Sequence, residues 1–285
     1  MKAGNFRHET ETVRIGRATE PGGILSSYAR DALEKTGGAG LLEDWARILF
    51  IHFAVDPAAL QPQIPFRLDV REGLAYVSLT AFYGHGLRPS ALGGSLGRAL
   101  ALPGQFPFIL NVRTYVRHGT EDGIHFLAEW IPNRLAAMIG RSLFGLPFHT
   151  GRIAFEHTEQ HARGRVCDDH GAGVLAYEAD WDPRAAFAPT PPCSLAEWLL
   201  ERYTAFTRLG ARSRFFRVWH PAWPQTPAIV RIADDSLLRS TGPWYAAARL
   251  IGGNYSPGFF DVRMGRAQPL PTGAFFATPV AMATL

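Results

Sequence analysis

Residues 106–157 read FPFILNVRTYVRHGTEDGIHFLAEWIPNRLAAMIGRSLFGLPFHTGRIAFEH, and their periodicity sets the architecture. From 110 to 117 the residues alternate. Leu110, Val112, Thr114 and Val116 share one face, while Asn111, Arg113, Tyr115 and Arg117 share the other. Residues 123–130 alternate in the same way, with His125, Leu127 and Glu129 opposite Ile124, Phe126, Ala128 and Trp130. The link 118–122 is short and polar, so the two strands form a hairpin. Asn133 then caps a helix reaching about Ser142, and Gly145 suits its stop. Gly145-Leu146-Pro147-Phe148-His149 is an apolar corner with one titratable side chain, and it feeds a third strand through His157.

An alternating antiparallel strand ordinarily buries one face and wets the other. The polar face here is unusual for a wet one: Asn, Arg, Tyr and Arg stand beside a strand carrying His and Glu. Such groups also suit the wall of a cavity enclosed by strands, where Arg113 and Glu129 pair across the hairpin if the register allows it. Both readings stay open at this level.

The chain has 285 residues at 47% hydrophobic composition, enough for a sizeable core, and its 29 Gly and 21 Pro favour a turn-rich β fold. A formal charge of +4 is mild, and no basic run interleaved with aromatics appears, so no nucleic-acid partner is expected. Among the basic residues only Lys2 and Lys35 are lysine. Cys167 and Cys193 do not make a disulfide framework. The first residues carry charge without an apolar core, so no secretory signal is read, and no run of eighteen apolar residues exists. A cytoplasmic protein without membrane contact, working on a small molecule, is expected, and a homo-oligomer is left open.

Taken in order, residues 1–40 form a loosely ordered arm with one short helix over 25–35. Residues 41–270 form a single α+β domain, and 271–285 a tail. Strands are expected at 47–55, 74–82, 152–157, 171–181, 215–218, 229–232 and 256–264. Asp56-Pro57 starts a helix ending near Pro62 to Pro65. Residues 83–104 are Gly-rich, irregular and suited to a lid, and 159–170 make a polar turn. Ser194 and Glu197 form a capping box for a helix over 195–209 closed by Gly210.

Several motifs have plain readings beside their chemical ones. Gly93-Gly94-Ser95-Leu96-Gly97 matches a nucleophile-elbow pattern, but Pro89 precedes it where a strand is required, so a loop is the better reading. His157 and His161 with Glu159 have metal-ligand spacing only on a helix, and they lie at a strand end. Neither a dinucleotide fingerprint nor a phosphate loop is present. No cofactor and no metal is expected. His149 serves either as a satisfied core histidine or as a pocket acid or base.

Five segments together resemble a known family: Trp45 to Pro57, Leu110 to Val116, Gly145 to His149, His220 to Trp223, and Ser256 to Val262. In this order they look like the YqjF-like group of uncharacterised bacterial proteins, itself similar to the acetoacetate decarboxylase superfamily. The implied fold is a strand-rich, cone-like antiparallel barrel around a cavity, with a few outer helices. Acetoacetate decarboxylase forms a Schiff base through a lysine in a segment resembling G-F-P-K-K. The matching segment here places Phe148 at the lysine and His149 beside it. The pocket glutamate of that enzyme has no counterpart in residues 108–111, and its carboxylate-binding arginine falls near Ala46 or Arg47. Phenylalanine cannot form an imine, so Schiff-base decarboxylation is excluded.

Two functions remain. One is a lysine-independent enzyme of lyase, cyclase or isomerase type, acting by acid/base chemistry on a carbonyl- or carboxylate-containing metabolite. There His149, Glu129 or Tyr115 moves a proton, while Arg113, Asn111, Arg47 and Phe148 hold the substrate. The other is a non-catalytic ligand-binding or structural barrel, in which Arg113 and Glu129 form a buried pair that fixes the hairpin.

Overall fold

The computed structural model describes residues 16–17, 22–92, 108–158 and 160–270. Its strands are β1 (Gly16–Arg17), β2 (Ala39–Val55), β3 (Arg67–Leu68), β4 (Ala75–Pro89), β5 (Ile109–His118), β6 (Glu121–Ile131) and β7 (Phe148–His157). They continue as β8 (His161–Asp168), β9 (Val174–Asp180), β10 (Thr204–Leu209), β11 (Arg212–Trp219), β12 (Thr226–Asp234), β13 (Ala248–Gly265) and β14 (Gln268–Pro269). The helices are short: α1 (Ile24–Lys35), α2 (Pro57–Leu60), α3 (Arg134–Phe144), α4 (Leu195–Leu200) and α5 (Ser236–Ser240).

Pairing runs β6-β7-β8-β9-β12-β13-β2-β4-β5, and β5 pairs back onto β6, so the sheet curls into a ring. The hairpin β10–β11 lies on the outside of one half of it. It touches β6 through Ala205 opposite Ile124, and β13 through Val218 opposite Met264. The half of the ring it covers, β13-β2-β4-β5-β6, is therefore buried on both faces.

Alternation shows this directly. In β2, Leu49, Ile51, Phe53 and Val55 enter one apolar cluster, and Ile48, Phe50 and Ala54 enter a second. In β5, Leu110, Val112 and Val116 join the first cluster, and Ile109 and Tyr115 the second. Asn111, Arg113 and Tyr115 are all buried. The polar face of the hairpin does not meet water.

The predicted helix 134–144 is present. The Asn133 side chain accepts from the Ala136 N–H, and Gly145 takes a left-handed φ of 69° at the stop. The Asp56 cap on α2 is present too, with Pro57 at the first helical position. Strand β4 runs on to Pro89, well past the expected end, and the elbow motif 93–97 with most of the expected lid lies outside the described residues.

Two elements correct the sequence reading. Residues 161–168 are not a turn but strand β8, paired with both β7 and β9. Ala162, Gly164 and Val166 alternate inward, and the outward Arg163 and Arg165 make the segment look like a polar loop. The helix over 195–209 stops at Leu200, and Thr204–Leu209 is strand β10. The Ser194 cap is present, its Oγ accepting from Glu197 N–H at 3.1 Å, but the Glu197 carboxylate accepts from Cys193 N–H at 2.6 Å and not from Ser194 N–H, so the box is only half made. Arg202 turns the chain out of the helix by reaching Asp69 at 3.0 Å and Asp122, and Thr204, Phe206 and Thr207 suit the strand that follows.

Candidate active site

A cavity of about 310 Å³ lies between the ring and the layer formed by β10, β11 and α3. Its wall is mostly hydrocarbon and aromatic, including Trp45, Phe50, Phe82, Phe126, Phe148 and Trp223. One line of polar groups crosses this wall. Thr80 on β4 pairs in register with Asn111 on β5, and Asn111 pairs with Glu129 on β6, so three neighbouring strands each supply one polar side chain. One step along β5, Arg113 enters the same space. Thr80 Oγ1, Asn111 Oδ1, Arg113 Nε and Glu129 Oε2 are buried without a hydrogen-bond partner. Most buried polar atoms are satisfied, so four orphans in one cavity mark it as a place for a ligand.

Burial keeps the carboxyls neutral longer than usual. Desolvation, helped by the negative charge of Glu43, pushes the Glu129 pKa up to about 8. Glu43 is raised to about 7, again mainly by desolvation and further by Asp44, while the Trp45 indole N–H and Arg88 pull the other way. Trp45 Nε1 donates to Glu43 Oε2 at 2.6 Å. His220, also in the wall, is lowered to about 3 by burial. Its Nδ1–H donates to Pro221 O at 2.7 Å, which leaves Nε2 as an acceptor in the neutral ring.

The structure gathers Asn111, Arg113, Glu129 and Phe148 at the cavity and leaves the other three predicted positions, Tyr115, His149 and Arg47, elsewhere or differently engaged. Arg113 and Glu129 do not form the expected pair. A bulge after Val112 sets Arg113 opposite Phe126, and Asn111 takes the place across from Glu129. Tyr115 lies on the same face but beyond the cavity, its hydroxyl 2.9 Å from Leu199 O and 2.6 Å from Ser78 Oγ. His149 is on the opposite side. The parallel β6–β7 register places Phe148 beside Glu129 and His149 beside Trp130, against which its ring stacks at 5.1 Å. Arg47 sits at an irregularity in β2 with φ 52°, and its guanidinium donates to His157 O at 2.7 Å.

His157 and His161 are also separately employed, on Tyr177 and Asp180 respectively. Glu159 lies outside the described residues. Among the described residues no group of three potential ligands is gathered for a metal, and no helix is long and apolar enough to cross a membrane.

Sequence reasoning missed Glu43, Thr80 and His220. Glu43 stands two residues before Trp45, in phase with it, and Thr80 lies within an expected strand; both signals were legible, but nothing said that this face was enclosed. Gly140 has a role of its own. Inside α3, a Cβ there would stand 2.2 Å from Phe148 Cε2, so the bare backbone lets the Phe148 ring lie against the helix.

The ring of strands, with a side-chain-lined cavity between it and its outer layer, defines the class. The chain belongs to the DUF2071 family, described as an uncharacterised conserved protein, whose model matches residues 43–250. It is 29% identical over 203 residues to the uncharacterised protein YqjF of Bacillus subtilis (strain 168), covering 70% of this chain and 81% of that one. Its fold is similar to solved acetoacetate decarboxylase-like structures. One is an acetoacetate decarboxylase-like enzyme from Sphingomonas wittichii RW1, with TM-score 0.54 and 17% identity over 82% of this chain and 93% of that one. Another is the enduracididine biosynthesis enzyme MppR, complexed with the condensation product of pyruvate and imidazole 4-carboxaldehyde. It has TM-score 0.59 and 13% identity over 80% and 88% of the two chains. A third is acetoacetate decarboxylase from Legionella pneumophila, with TM-score 0.52 and 13% identity over 82% and 88%. The fold is thus one used by small-molecule enzymes, and the expected architecture is the one found.

Proposed function

We propose that this protein is a cytoplasmic, lysine-independent enzyme of lyase, cyclase or isomerase type, acting on a carbonyl- or carboxylate-containing metabolite in the cavity. Glu129 carries the proton. A carboxyl held near pKa 8 in an apolar wall can take a proton from carbon and return it to a neighbouring atom. Arg113 holds the oxyanion that develops. One positioned acid or base contributes roughly 10²–10⁴ in rate, and one oxyanion donor about 10²–10³. Those factors suit enolisation, dehydration or cyclisation and fall short of unassisted cleavage of a strong bond.

Schiff-base chemistry is outside this reading. Phe148 lines the cavity where the resemblance puts the imine-forming lysine, and Lys35 is exposed at the end of α1. The observation that carries the proposal is the unpartnered Glu129 carboxyl, buried in the wall of the cavity that Arg113 also lines and raised by that burial. Similarity of fold to MppR and to acetoacetate decarboxylase supports it at the level of class.

The test is hydrogen–deuterium exchange at carbon, followed by NMR, over a panel of 2-oxo and 3-oxo acids in D₂O. Catalysed exchange that disappears in Glu129→Gln, with the thermal transition retained, is the expected result. Exchange that persists in this variant removes Glu129 from its role. If the folded wild type catalyses none across the panel, the reading of the site as a binding cavity without turnover takes its place.

A further inference from the structure

Among the described residues four arginines are buried: Arg88, Arg113, Arg202 and Arg217. Arg88 pairs with Asp44 at 3.0 Å and also with Asp261. Arg202 is held by Asp69 and Asp122, and Arg217 by Glu121 at 2.6 Å. Arg113 is different. No carboxylate stands within ion-pair distance of it among the described residues. Its neighbours are the Phe50 ring, 5.4 Å from the guanidinium carbon, Leu199 O, 3.5 Å from Nη2, and the Tyr115 hydroxyl, none of them a carboxylate, while Nε has no partner. Only 9% of the residue is exposed, so water does little to offset the charge. A buried guanidinium left without its anion is a fork-shaped donor set for a charged oxygen group.

The rest of the cavity restricts what can carry that group. A second negative charge on the ligand would find no second free guanidinium among the described residues of the wall, because Arg202, also there, is already held by Asp69 and Asp122, so one charge fits and two do not. Beyond the line Thr80–Asn111–Glu129 the wall offers aromatic rings and branched aliphatic side chains. A small, fully hydrated acid would leave those surfaces bare, whereas an apolar body covers them. Ile139 and Leu143 of α3 line the cavity and are also 46% and 56% exposed, so the apolar lining reaches the molecular surface there.

We infer that the ligand of this cavity is an amphiphilic monoanion: a single carboxylate or equivalent charged oxygen group seated on Arg113, carried on an aromatic or branched-alkyl body packed against Trp45, Phe50, Phe82 and Phe126. The inference rests on the proposed reading only in taking the cavity as the site where the ligand binds. It excludes dianions, short hydrophilic acids and neutral lipophiles as the preferred class. Thr80 and Asn111 then meet the ligand's other oxygen or hydroxyl, and Glu129 lies beside the carbon next to the head group.

Isothermal titration of the full chain at pH 7 with four probes tests this: 3-phenylpropionate, propionate, 3-phenylpropanol and phenylsuccinate. The expected result is that 3-phenylpropionate binds at least tenfold more tightly than each of the other three. Arg113→Met lowers its affinity at least tenfold and leaves 3-phenylpropanol unchanged, and Arg113→Lys restores part of the loss. Equal binding of the acid and the alcohol overturns the proposal, as does tighter binding of propionate, of the dianion, or no binding of 3-phenylpropionate at millimolar concentration. The comparison among probes on the wild type stands even if Arg113→Met does not fold. Glu129→Gln separates the two readings: it keeps 3-phenylpropionate binding if the ligand class is right, whether or not the protein turns over any substrate.

Discussion

Two buried polar neighbourhoods lie one strand-step apart in this protein, and they are built on opposite rules. In the first, Asn254 Nδ2 donates to Gln225 Oε1 at 2.6 Å, and the neutral His52 ring bridges Asn254 Oδ1 at 3.1 Å and Ser78 Oγ at 2.7 Å. Tyr115 closes the chain, its hydroxyl 2.6 Å from Ser78 Oγ and 2.9 Å from Leu199 O. In the second, Thr80, Asn111, Glu129 and Arg113 each leave a buried atom unpartnered. The two sets share strands: Ser78 and Thr80 are both on β4, Tyr115 and Asn111 both on β5. A completed network fixes strand positions and gains little from any ligand. An incomplete one, facing a cavity, is stabilised when a ligand completes it. Catalytic and binding groups are therefore sought in the second set, even though the first contains the more familiar Ser–His–Asn arrangement.

The largest expected effect lies in the completed set. His52→Leu orphans the Asn254 carboxamide oxygen, at roughly 1–3 kcal/mol, and takes from the Ser78 hydroxyl one of its two partners, at roughly 0.5–1.5 kcal/mol, so urea unfolding should show a loss of about 2–4 kcal/mol. A loss well under 1 kcal/mol would erase the distinction between the two neighbourhoods.

The two sets also own opposite arms of the pH–stability curve. His52 is held down from 6.5 to about 3 by burial, so the folded state binds fewer protons, and stability is lost as pH falls from 6.5 toward 3. Glu129 is raised from 4.5 to about 8, so its contribution is present in full below 4.5 and is lost as pH rises toward 8. Each arm has a slope of at most about 1.4 kcal/mol per pH unit per group. Glu129→Gln should flatten the alkaline arm and leave the acid arm in place, with Glu43, raised to about 7, still contributing. His52→Leu should do the reverse, with His157 and His220, lowered to about 4 and about 3, keeping a share of the acid arm. A Gln variant whose denaturant midpoints run parallel to the wild type from pH 4.5 to about 8 would contradict the Glu129 assignment.

Arg113→Met sharpens the contrast further. Had Arg113 and Glu129 been a buried pair, removing one partner would destabilise by about 3–5 kcal/mol. With no carboxylate to strand, the change should fall within about 1 kcal/mol and be neutral or stabilising, measured by urea unfolding. The smallest effect is at Gly140. In Gly140→Ala the helix gains about 1 kcal/mol of propensity, and the new methyl displaces the Phe148 ring toward the cavity. Stability should therefore move by no more than about 1 kcal/mol, while the affinity for 3-phenylpropionate falls several-fold by titration.

The hairpin β5–β6, the caps of α3 and the loss of imine chemistry at Phe148 were all legible as text, because each depends on neighbours along the chain or on the presence of one residue type. β8 and β10 were misread for a related reason. Arginines on the outer positions of β8 masked its alternation, and a good helix start at Ser194 said nothing about where Arg202 would find Asp69 and Asp122.

The candidate site divides along the same line. Alternation alone put Asn111, Arg113 and Tyr115 on one face, whereas Phe148 and His149, read as parts of one apolar corner, were parted only by the β6–β7 register. Period two states which side chains share a face and is silent about what covers that face. Ring closure through β5–β6 and the outer hairpin β10–β11 decided that the polar face is enclosed, and these are contacts between residues far apart in the chain. The β5–β6 register decided that Asn111, not Arg113, stands across from Glu129, and the bulge after Val112 moved Arg113 on to Phe126. Only once Glu43 and Glu129 are buried together does desolvation raise their carboxyls, because that energy depends on the surroundings and not on the residue.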